Sequence, residues 1–476
     1  MNDYTGPLHA YLSWPFLEML GLTIGVARGL SVALNVGALL AVAWVARRVL
    51  RLEGAALLCV VALATSPLFV VFARMATEST ALVPLLTLGG IALVLCATLP
   101  SAAECSTGRL SHNPALFAFA GGFGVGLAAY THIIAIVLPL ALAAACAILW
   151  RRRLVRQAAL WWALFGLAAG YAPRWVQVLH AGDNGFGTRL AGRDWAALAE
   201  DFSSLPGVLS GVIDGDLLYR RFTGHLTVSV LPYASVVVVG LTLWRFARLR
   251  ALPLDAREKV LGLLLPILLL GIVLASPWFS LLYFASVGIV ACLWSGVLVD
   301  RLLCFERGRV ARVALRAALP LLIIGNVAYV GTNYYYGFAS TGGVPSIFRI
   351  GKRLIETSND FIRSDTLYEQ LVGRGVSVVF AKDFIAYGLA AYDAEETQPR
   401  LQCAIVPPES LPPPHPMLAT TPAALVYHNG VMNTGSSSIS DVRGTQVIMV
   451  GSEQFVRDDS FDAHFLVYVN DAARRR

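Results

Sequence analysis

Ten long apolar runs constrain this chain more than any other feature of its sequence. A helix that crosses a lipid bilayer needs roughly 20 mostly apolar residues, and ten stretches approach that length. They span approximately residues 27–46, 55–72, 81–99, 115–130, 133–149, 158–173, 227–244, 260–275, 279–299 and 313–331. Only 14% of all residues are charged and 57% are hydrophobic, whereas soluble domains carry roughly 25% charged residues. The sequence therefore predicts a polytopic α-helical membrane protein with about ten transmembrane helices.

Basic residues cluster at alternate connections between these runs. The formal net charge is +7, but no basic arm or zinc-ligand spacing accompanies it, so nucleic acid is not a predicted partner. The clusters follow the odd-numbered runs and comprise Arg47, Arg48, Arg51, then Arg109, then Arg151, Arg152, Arg153, Arg156, then Arg245, Arg248, Arg250, Arg257, Lys259, and finally Arg301, Arg307, Arg309 and Arg312. Because cytoplasmic loops are enriched in Lys and Arg, these connections are predicted to be cytoplasmic. Both termini are then external, in a multi-pass protein of the inner or plasma membrane.

Three of the predicted external regions are long. Residues 1–26 form an N-terminal segment whose positions 8–24 read as a helix lying at the membrane interface, with Trp14 and Phe16 as anchors. The transmembrane part covers residues 27–331 and includes an external loop at 174–226, which is rich in Gly and Asp. Residues 332–476 form an external soluble domain.

The soluble domain is predicted to be α/β. Short runs of β-branched and aromatic residues indicate strands at 376–380, 404–406, 424–427, 446–450 and 465–469. Helical periodicity is present at 346–357 and at 365–373. The proline-rich stretch 407–416 is typical of a loop or linker.

Polar residues at the predicted external ends of the spans are the candidates for chemistry. Arg74 and Glu78 lie four residues apart in a tight turn, where they form either an interfacial ion pair or a carboxylate that meets a lipid-linked substrate. Asp3 and Tyr4 precede the interfacial helix, and an acidic residue near a terminus is ordinarily solvated. His132, in the short turn 130–132, is either an interfacial hydrogen-bonding residue or a catalytic one.

Three stretches carry a resemblance to a known family. They are Tyr4-Thr5-Gly6-Pro7-Leu8 continued by Leu12, Pro15 and Gly21; Ser66-Pro67 continued by Phe72-Ala73-Arg74 and Glu78; and Phe380-Ala381-Lys382-Asp383-Phe384-Ile385-Ala386-Tyr387. In this order, and with this topology, the chain resembles the polyprenyl-phosphate-dependent membrane glycosyltransferases of the GT-C class. The nearest groups are the bacterial and archaeal members of the protein mannosyltransferase-like family 39 and the lipid A aminoarabinose transferases.

The resemblance implies transfer of a sugar from a polyprenyl phosphate to a lipid, polymer or protein acceptor at the external face. An acidic residue of the first external loop then acts as general base or orients the acceptor, with Asp3 as its candidate, and Glu78 helps to shape the site from the next turn. Arg74 and Arg174 are external candidates for stabilising the departing lipid phosphate. Tyr4 and His132 complete the expected substrate-binding set.

One departure from the family concerns the start of the chain. The family begins with a helix that precedes its first external loop, and the resemblance aligns Met1 with the end of that loop. We expect in-frame sequence upstream to encode that helix and an acidic loop residue.

Two other functions fit the apolar pattern. A lipid or sugar transporter would favour charges within its spans, but these spans are nearly free of charge. A non-catalytic membrane scaffold would use its external domain to bind a partner. No cofactor is predicted, and no His, Cys or carboxylate cluster has metal-ligand spacing, which leaves a divalent metal requirement open. Membrane lipids are expected partners in every case.

Overall fold

The computed structural model describes residues 8–21, 24–52, 55–66, 69–70, 73, 82–98, 113–150, 156–181, 199, 202–203, 205, 233–248, 253–275, 285–305, 323–332, 348–350, 353–355, 364–381, 385–386, 389–390, 392–393, 400–405, 418, 420–428, 446–450, 452–461 and 465–475. These residues divide into two units. The first comprises Met1–Pro15, Arg28–Leu218 and Thr227–Thr332, and the second comprises Phe16–Ala27, Tyr219–Leu226 and Asn333–Arg476.

The first unit is helical, and its helices follow the apolar runs of the sequence; the end of the first helix and the start of the second, within Phe16–Ala27, belong to the second unit. In chain order the described helices are α1 Leu8–Leu20, α2 Ile24–Trp44, α3 Ala55–Thr65, α4 Leu82–Thr98, α5 Pro114–Thr131, α6 Val137–Trp150, α7 Ala158–Ala181, α8 Tyr233–Ala247, α9 Ala256–Ala275, α10 Ala285–Phe305 and α11 Ile323–Thr332. A π-helical turn, Val45–Val49, continues α2, and a 3₁₀ turn, Ile133–Ile136, precedes α6. Each of the ten apolar runs overlaps one of these helices, so helical structure is confirmed there.

The lengths of these helices bear on how many of them span the bilayer. Two described helices, Arg28–Val49 and Pro114–Thr131, are long and apolar enough to cross a membrane. Shorter apolar helices occur at Ala55–Thr65, Leu82–Ala97, Ile134–Trp150 and Ile323–Thr332. The predicted total of about ten spans therefore stays a prediction.

Helix α1 confirms the helical part of the N-terminal prediction. Its apolar side chains Tyr11, Trp14 and Met19 are 67%, 66% and 71% exposed. Large aromatic and aliphatic side chains that protrude from a helix suit the boundary of a bilayer. Its place at the membrane interface stays a prediction.

Close packing holds α4, α5 and α7 together. Side chains added at Gly90 of α4 or Gly121 of α5 would each come within 2.5 Å of the other residue's carbonyl oxygen. A Cβ on Gly122 would overlap the carbonyl oxygen of Ala163 in α7. Helices inside a membrane gain little from hydrophobic exclusion, so small residues that allow such close backbone contact stabilise their association.

The ends of two helices are defined by side-chain caps. Asn113 begins α5, because its Oδ1 accepts a hydrogen bond from the backbone N–H of Leu116 at 3.1 Å, and Pro114 suits the first helical position. At the start of α9, Asp255 Oδ1 accepts from the N–H of Glu258 at 2.8 Å, and Glu258 Oε2 accepts from the N–H of Asp255 at 2.8 Å. This reciprocal pair is a capping box.

The second unit contains a six-stranded mixed sheet. The described strands are β1 Phe348–Ile350, β2 Arg353–Ile355, β3 Val378–Ala381, β4 Gln402–Ile405, β5 Ala423–His428, β6 Val447–Val450, β7 Glu453–Arg457 and β8 Phe465–Asn470, with helices α12 Ser364–Gly373 and α13 Asp471–Arg474. The sheet order is β4-β3-β5-β8-β7-β6. Strand β3 runs parallel to β4 and β5, and the other pairs are antiparallel.

Alternate residues of the sheet pack on its two faces. Ala424 and Val426 of β5 join one core cluster with Leu367 of α12. Their neighbours Ala423 and Leu425 join the cluster on the opposite face. Successive strand residues point to opposite sides of a sheet, so a strand that is buried on both faces has a continuous apolar sequence. Residues 423–427 of β5 form such a run.

The strand predictions at 376–380, 404–406, 424–427, 446–450 and 465–469 are confirmed within one or two residues at each end, as is the helix at 365–373. The helix predicted at 346–357 is wrong. Residues 348–350 and 353–355 form an antiparallel pair in which Ile350 lies opposite Arg353. In such a pair the backbone hydrogen bonds run between two extended segments, whereas in a helix they run along one segment, so the described residues exclude a helix there. The proline-rich stretch 407–416 lies outside the described residues.

Candidate functional site

Arg174 is the predicted site residue that the structure describes in most detail. The sequence placed it at the start of an external loop, because the sixth apolar run ends at residue 173. That prediction is wrong for residues 174–181, since α7 continues without interruption to Ala181. Pro173 lies inside the helix, and prolines are tolerated in membrane helices where neighbouring groups satisfy the freed backbone carbonyl. Arg174 is therefore a helical side chain.

The guanidinium group of Arg174 interacts with two tyrosines. Arg174 is only 6% exposed, and it donates a hydrogen bond to the hydroxyl of Tyr171, one turn earlier in α7. It also interacts electrostatically with Tyr130 at the end of α5. Helical side chains lean toward the N-terminus of their helix, which directs Arg174 back over Tyr171.

Two further aromatic residues surround this group. Tyr11 of α1 interacts electrostatically with Tyr130. The rings of Tyr171 and Trp175 meet edge to face, with centroids 6.1 Å apart and an interplanar angle of 86°. The arrangement combines a forked cationic donor, Arg174, with the phenolic hydroxyls of Tyr171 and Tyr130, and such donors suit an anion with several oxygens, as a phosphate has.

His132 has a structural role in the short turn after α5. It adopts an extended conformation (φ −153°, ψ 121°) between α5 and the 3₁₀ turn. Its Nδ1 accepts a hydrogen bond from the backbone N–H of Ile134 at 3.3 Å, and the residue is 5% exposed. One ring nitrogen therefore caps the 3₁₀ turn, which is the hydrogen-bonding alternative that the sequence left open.

The other predicted site residues, Asp3, Tyr4, Arg74 and Glu78, lie outside the described residues. The structure brings Tyr130, Tyr171 and Arg174 together. Sequence reasoning missed Tyr171, although its position three residues before Arg174 is a signal, since residues three apart share a helix face. Among the residues that the structure describes, no group of three or more His, Cys, Asp or Glu side chains could hold a metal ion.

A second polar cluster joins α8, α9 and α10. Arg245 Nε donates to Glu258 Oε1 at 2.6 Å, and Arg245 Nη2 donates to Oε2 at 3.0 Å. Both side chains are 0% exposed. Arg301 of α10 pairs with Asp255 and lies 3.5 Å from Glu258 Oε2. In the sequence, Arg245 and Arg301 are only topology signals; in the structure both also join helices.

Comparison with solved structures gives the fold a known counterpart. The chain is similar to ArnT from Cupriavidus metallidurans bound to undecaprenyl phosphate, with 14% identity and a TM-score of 0.55 over 98% of this chain and 88% of ArnT. The apo state of the same protein matches with 14% identity and a TM-score of 0.55 over 99% of this chain and 88% of ArnT. No family model and no curated protein sequence matches the chain.

The chain therefore has the fold of a polytopic membrane protein. More particularly, it shares the fold of ArnT. The family resemblance drawn from the three sequence stretches is confirmed at the level of the fold.

Proposed function

We propose that this protein is a membrane glycosyltransferase that moves a sugar from a polyprenyl-phosphate donor to a lipid, polymer or protein acceptor at the external face of the membrane. The observation that carries the proposal is the likeness of nearly the whole chain to ArnT, whose structure binds undecaprenyl phosphate. Fold alone does not fix function. The chemistry of the cluster around Arg174 supplies the second argument.

Arg174 is proposed to bind the phosphate of the lipid donor. A guanidinium presents several N–H donors in a planar fork, which matches the oxygens of a phosphate better than a point charge does. Tyr130 and Tyr171 add hydroxyl donors beside it. As the bond between sugar and phosphate breaks, charge grows on the phosphate, and fixed donors stabilise that charge without reorganising.

The acceptor side of the reaction needs a carboxylate. An acceptor hydroxyl attacks the anomeric carbon, the bond from that carbon to the phosphate oxygen breaks, and the hydroxyl proton passes to a general base. Glu78 and Asp3 are the proposed carboxylates, with Arg74 and Tyr4 as further substrate-binding residues. Polyprenyl phosphate is the leaving group, and attack opposite to it inverts the configuration of the sugar.

The test replaces Arg174 and measures both binding and transfer. The probe for binding is undecaprenyl phosphate, and transfer is measured with a panel of undecaprenyl-phosphate-linked sugars. Losing a hydrogen-bonded charge costs about 1.5–3 kcal/mol, so Arg174→Gln should raise the Kd about 10- to 150-fold. Arg174→Lys keeps the charge but not the fork, and should fall between wild type and Arg174→Gln.

The matched control lies just before the same helix. Arg156 is exposed, and α7 begins two residues later at Ala158, about 24 Å along the helix axis from Arg174, so Arg156→Gln should leave both Kd and transfer unchanged. Equal binding of undecaprenyl phosphate by Arg174→Gln and Arg156→Gln would overturn the assignment of Arg174. Movement of the lipid-linked sugar across vesicles without any transfer would favour the transporter instead.

A further inference from the structure

An amide side chain lies within the apolar helix α11. Asn326 belongs to Ile323–Thr332 and is only 7% exposed. An amide inside a bilayer is costly unless it finds a hydrogen-bond partner on a neighbouring helix. Its Nδ2 donates a hydrogen bond to Thr65 Oγ1 of α3 at 3.2 Å, across 261 positions of the chain. Asn326 therefore joins α11 to α3.

The hydroxyl of Thr65, the last residue of α3, is used in both directions. Its Oγ1 accepts from Asn326 and donates to the carbonyl oxygen of Val61, one turn earlier, at 2.8 Å. A threonine side chain has few rotamers, because its Cβ is branched. The two hydrogen bonds therefore restrict how the end of α3 lies against α11.

The chain turns directly after α3. The N–H of Ser66 donates to the carbonyl oxygen of Leu63 at 3.0 Å. Ser66 Oγ accepts from the N–H of Phe69 at 3.3 Å, and its carbonyl oxygen accepts from the N–H of Val70 at 3.0 Å. Ser66 is therefore the N-cap of a new helical turn, and Pro67 occupies the next position in the sequence, which proline favours.

This new turn leads toward the proposed carboxylate. Ala73 is helical. Arg74 is the next residue in the sequence, and Glu78 follows four residues later. The segment that carries both side chains thus starts from the end of α3 that Asn326 holds.

We propose that Asn326 is a positioning residue for sugar transfer: its hydrogen bond to Thr65 holds the end of α3, and the capped turn that follows carries this constraint to Glu78. The inference rests on the proposed function, in which Glu78 is a carboxylate of the reaction. A single hydrogen bond between membrane helices contributes modestly to stability. A displacement of about 1 Å in a catalytic arrangement, however, lowers the rate on the order of 100-fold. Loss of this bond should therefore alter turnover more than folding.

The test removes the hydrogen bond from either side. Thr65→Val replaces the hydroxyl with a methyl group, and Asn326→Leu replaces the amide with an apolar group of similar size. Each change is expected to lower kcat for transfer from an undecaprenyl-phosphate-linked sugar about 10- to 100-fold, per folded molecule in the monodisperse fraction. The double variant should lose no more than the worse single variant, because both changes remove the same bond. Thr65→Ser keeps the hydroxyl and should keep most of the turnover.

The matched control is a second hydrogen bond of the same kind. Trp294 Nε1 of α10 donates to Thr242 Oγ1 of α8 at 3.1 Å. Thr242→Val therefore loses one hydrogen bond between helices, as Thr65→Val does, but at a different pair of helices. Both variants should lower the Tm by a similar small amount, and Thr242→Val should keep the kcat of wild type. Equal losses of kcat in the two variants would overturn the positioning role.

A second comparison asks whether the effect passes through the carboxylate. A residue that acts by positioning Glu78 has nothing to position once that carboxylate is removed. In a Glu78→Gln background, Thr65→Val should therefore cause little further loss of kcat, whereas independent effects would multiply. A further loss as large as that seen in the wild-type background would contradict the proposal.

The outcomes separate this inference from the proposed function. Wild-type turnover in Glu78→Gln would overturn the carboxylate role on which the inference rests. Loss of turnover in Glu78→Gln with wild-type turnover in Thr65→Val and Asn326→Leu would overturn the positioning role alone. If Asn326→Leu yields no monodisperse protein, Thr65→Val decides. Failure of both variants to fold would assign the hydrogen bond a structural role only.

Discussion

Replacing Glu258 with Gln tests the ion pair that joins α8 to α9. Glu258 accepts two hydrogen bonds from Arg245, and both side chains are 0% exposed. It also accepts from the N–H of Asp255 in the capping box and lies 3.5 Å from Arg301. Glutamine keeps the size and one acceptor oxygen but removes the negative charge. Arg245 would then be a buried cation without its bidentate partner.

The expected loss of stability follows from that burial. Exposed ion pairs contribute about 0–1 kcal/mol, but removing one partner of a buried pair costs about 3–5 kcal/mol, because the remaining charge is left uncompensated in a medium that solvates it poorly. At roughly 2 °C per kcal/mol for a large chain, the Tm should fall by about 6–10 °C. The retained acceptor keeps part of the capping box, so the loss of the cap adds little.

The Tm can be measured through buried thiols that become exposed on unfolding. Cys59 and Cys146 are 1% and 6% exposed, so a thiol-reactive fluorescent dye reports their exposure as the protein unfolds in detergent. Lys259 is the exposed neighbour of Glu258, and Lys259→Gln should leave the Tm unchanged. The double variant Arg245→Met with Glu258→Met should recover most of the loss, because apolar residues often replace a buried ion pair without cost.

Two results would contradict the expected loss of stability. If Glu258→Gln unfolds within about 2 °C of wild type, Arg245 must reach water or lipid head groups in the folded protein. If the double variant is less stable than Glu258→Gln, the pair would contribute more than it costs to bury.

Two further changes test the proposed carboxylate Glu78 and the second unit. Glu78→Gln should lower turnover at least about 100-fold, in the range of lost acid–base catalysis, with unchanged protein abundance; normal turnover would return Glu78 to the ion-pair interpretation. Burial, and then the neighbouring Tyr468, raise the pKa of Tyr427 to about 12. The folded state favours the neutral phenol, so the contribution of Tyr427 to the free energy of unfolding is complete below about pH 10, the ordinary pKa of tyrosine. That contribution is lost as the pH rises from about 10 toward 12. Subtracting the absorbance of Tyr427→Phe from that of wild type gives the tyrosinate absorbance of Tyr427, and we expect this difference to develop near pH 12. A difference already present at pH 10 would contradict the raised pKa.

The apolar pattern was enough to predict where helices form, but not how they meet. Each run overlaps a helix because a long apolar segment in lipid must satisfy its backbone hydrogen bonds internally. Contact between Gly126 and Leu167 depends on two segments about 40 residues apart, which no local pattern encodes. The same holds for Arg245 and Glu258, whose spacing of 13 residues crosses from one helix to the next.

The predicted helices were wrong in two places. The sixth apolar run ends at residue 173, yet α7 continues to Ala181. Helical periodicity covers residues 346–357, yet Phe348–Ile350 and Arg353–Ile355 pair as antiparallel strands. In both places the local sequence is compatible with more than one backbone conformation, and contacts with neighbouring segments decide which conformation forms.

The ion network also bears on the predicted topology. Arg245 was counted among the cytoplasmic charges after the seventh apolar run, and Arg301 among those after the ninth. Both are paired with carboxylates, so each of these charges is balanced within the folded protein. Removing both from the count leaves Arg248, Arg250, Arg257 and Lys259 after the seventh run, and Arg307, Arg309 and Arg312 after the ninth. Lys and Arg bias orientation as the chain inserts, so the same alternation is predicted with or without the paired residues. The predicted cytoplasmic side of these connections, and with it the external placement of Arg174, therefore does not depend on Arg245 or Arg301.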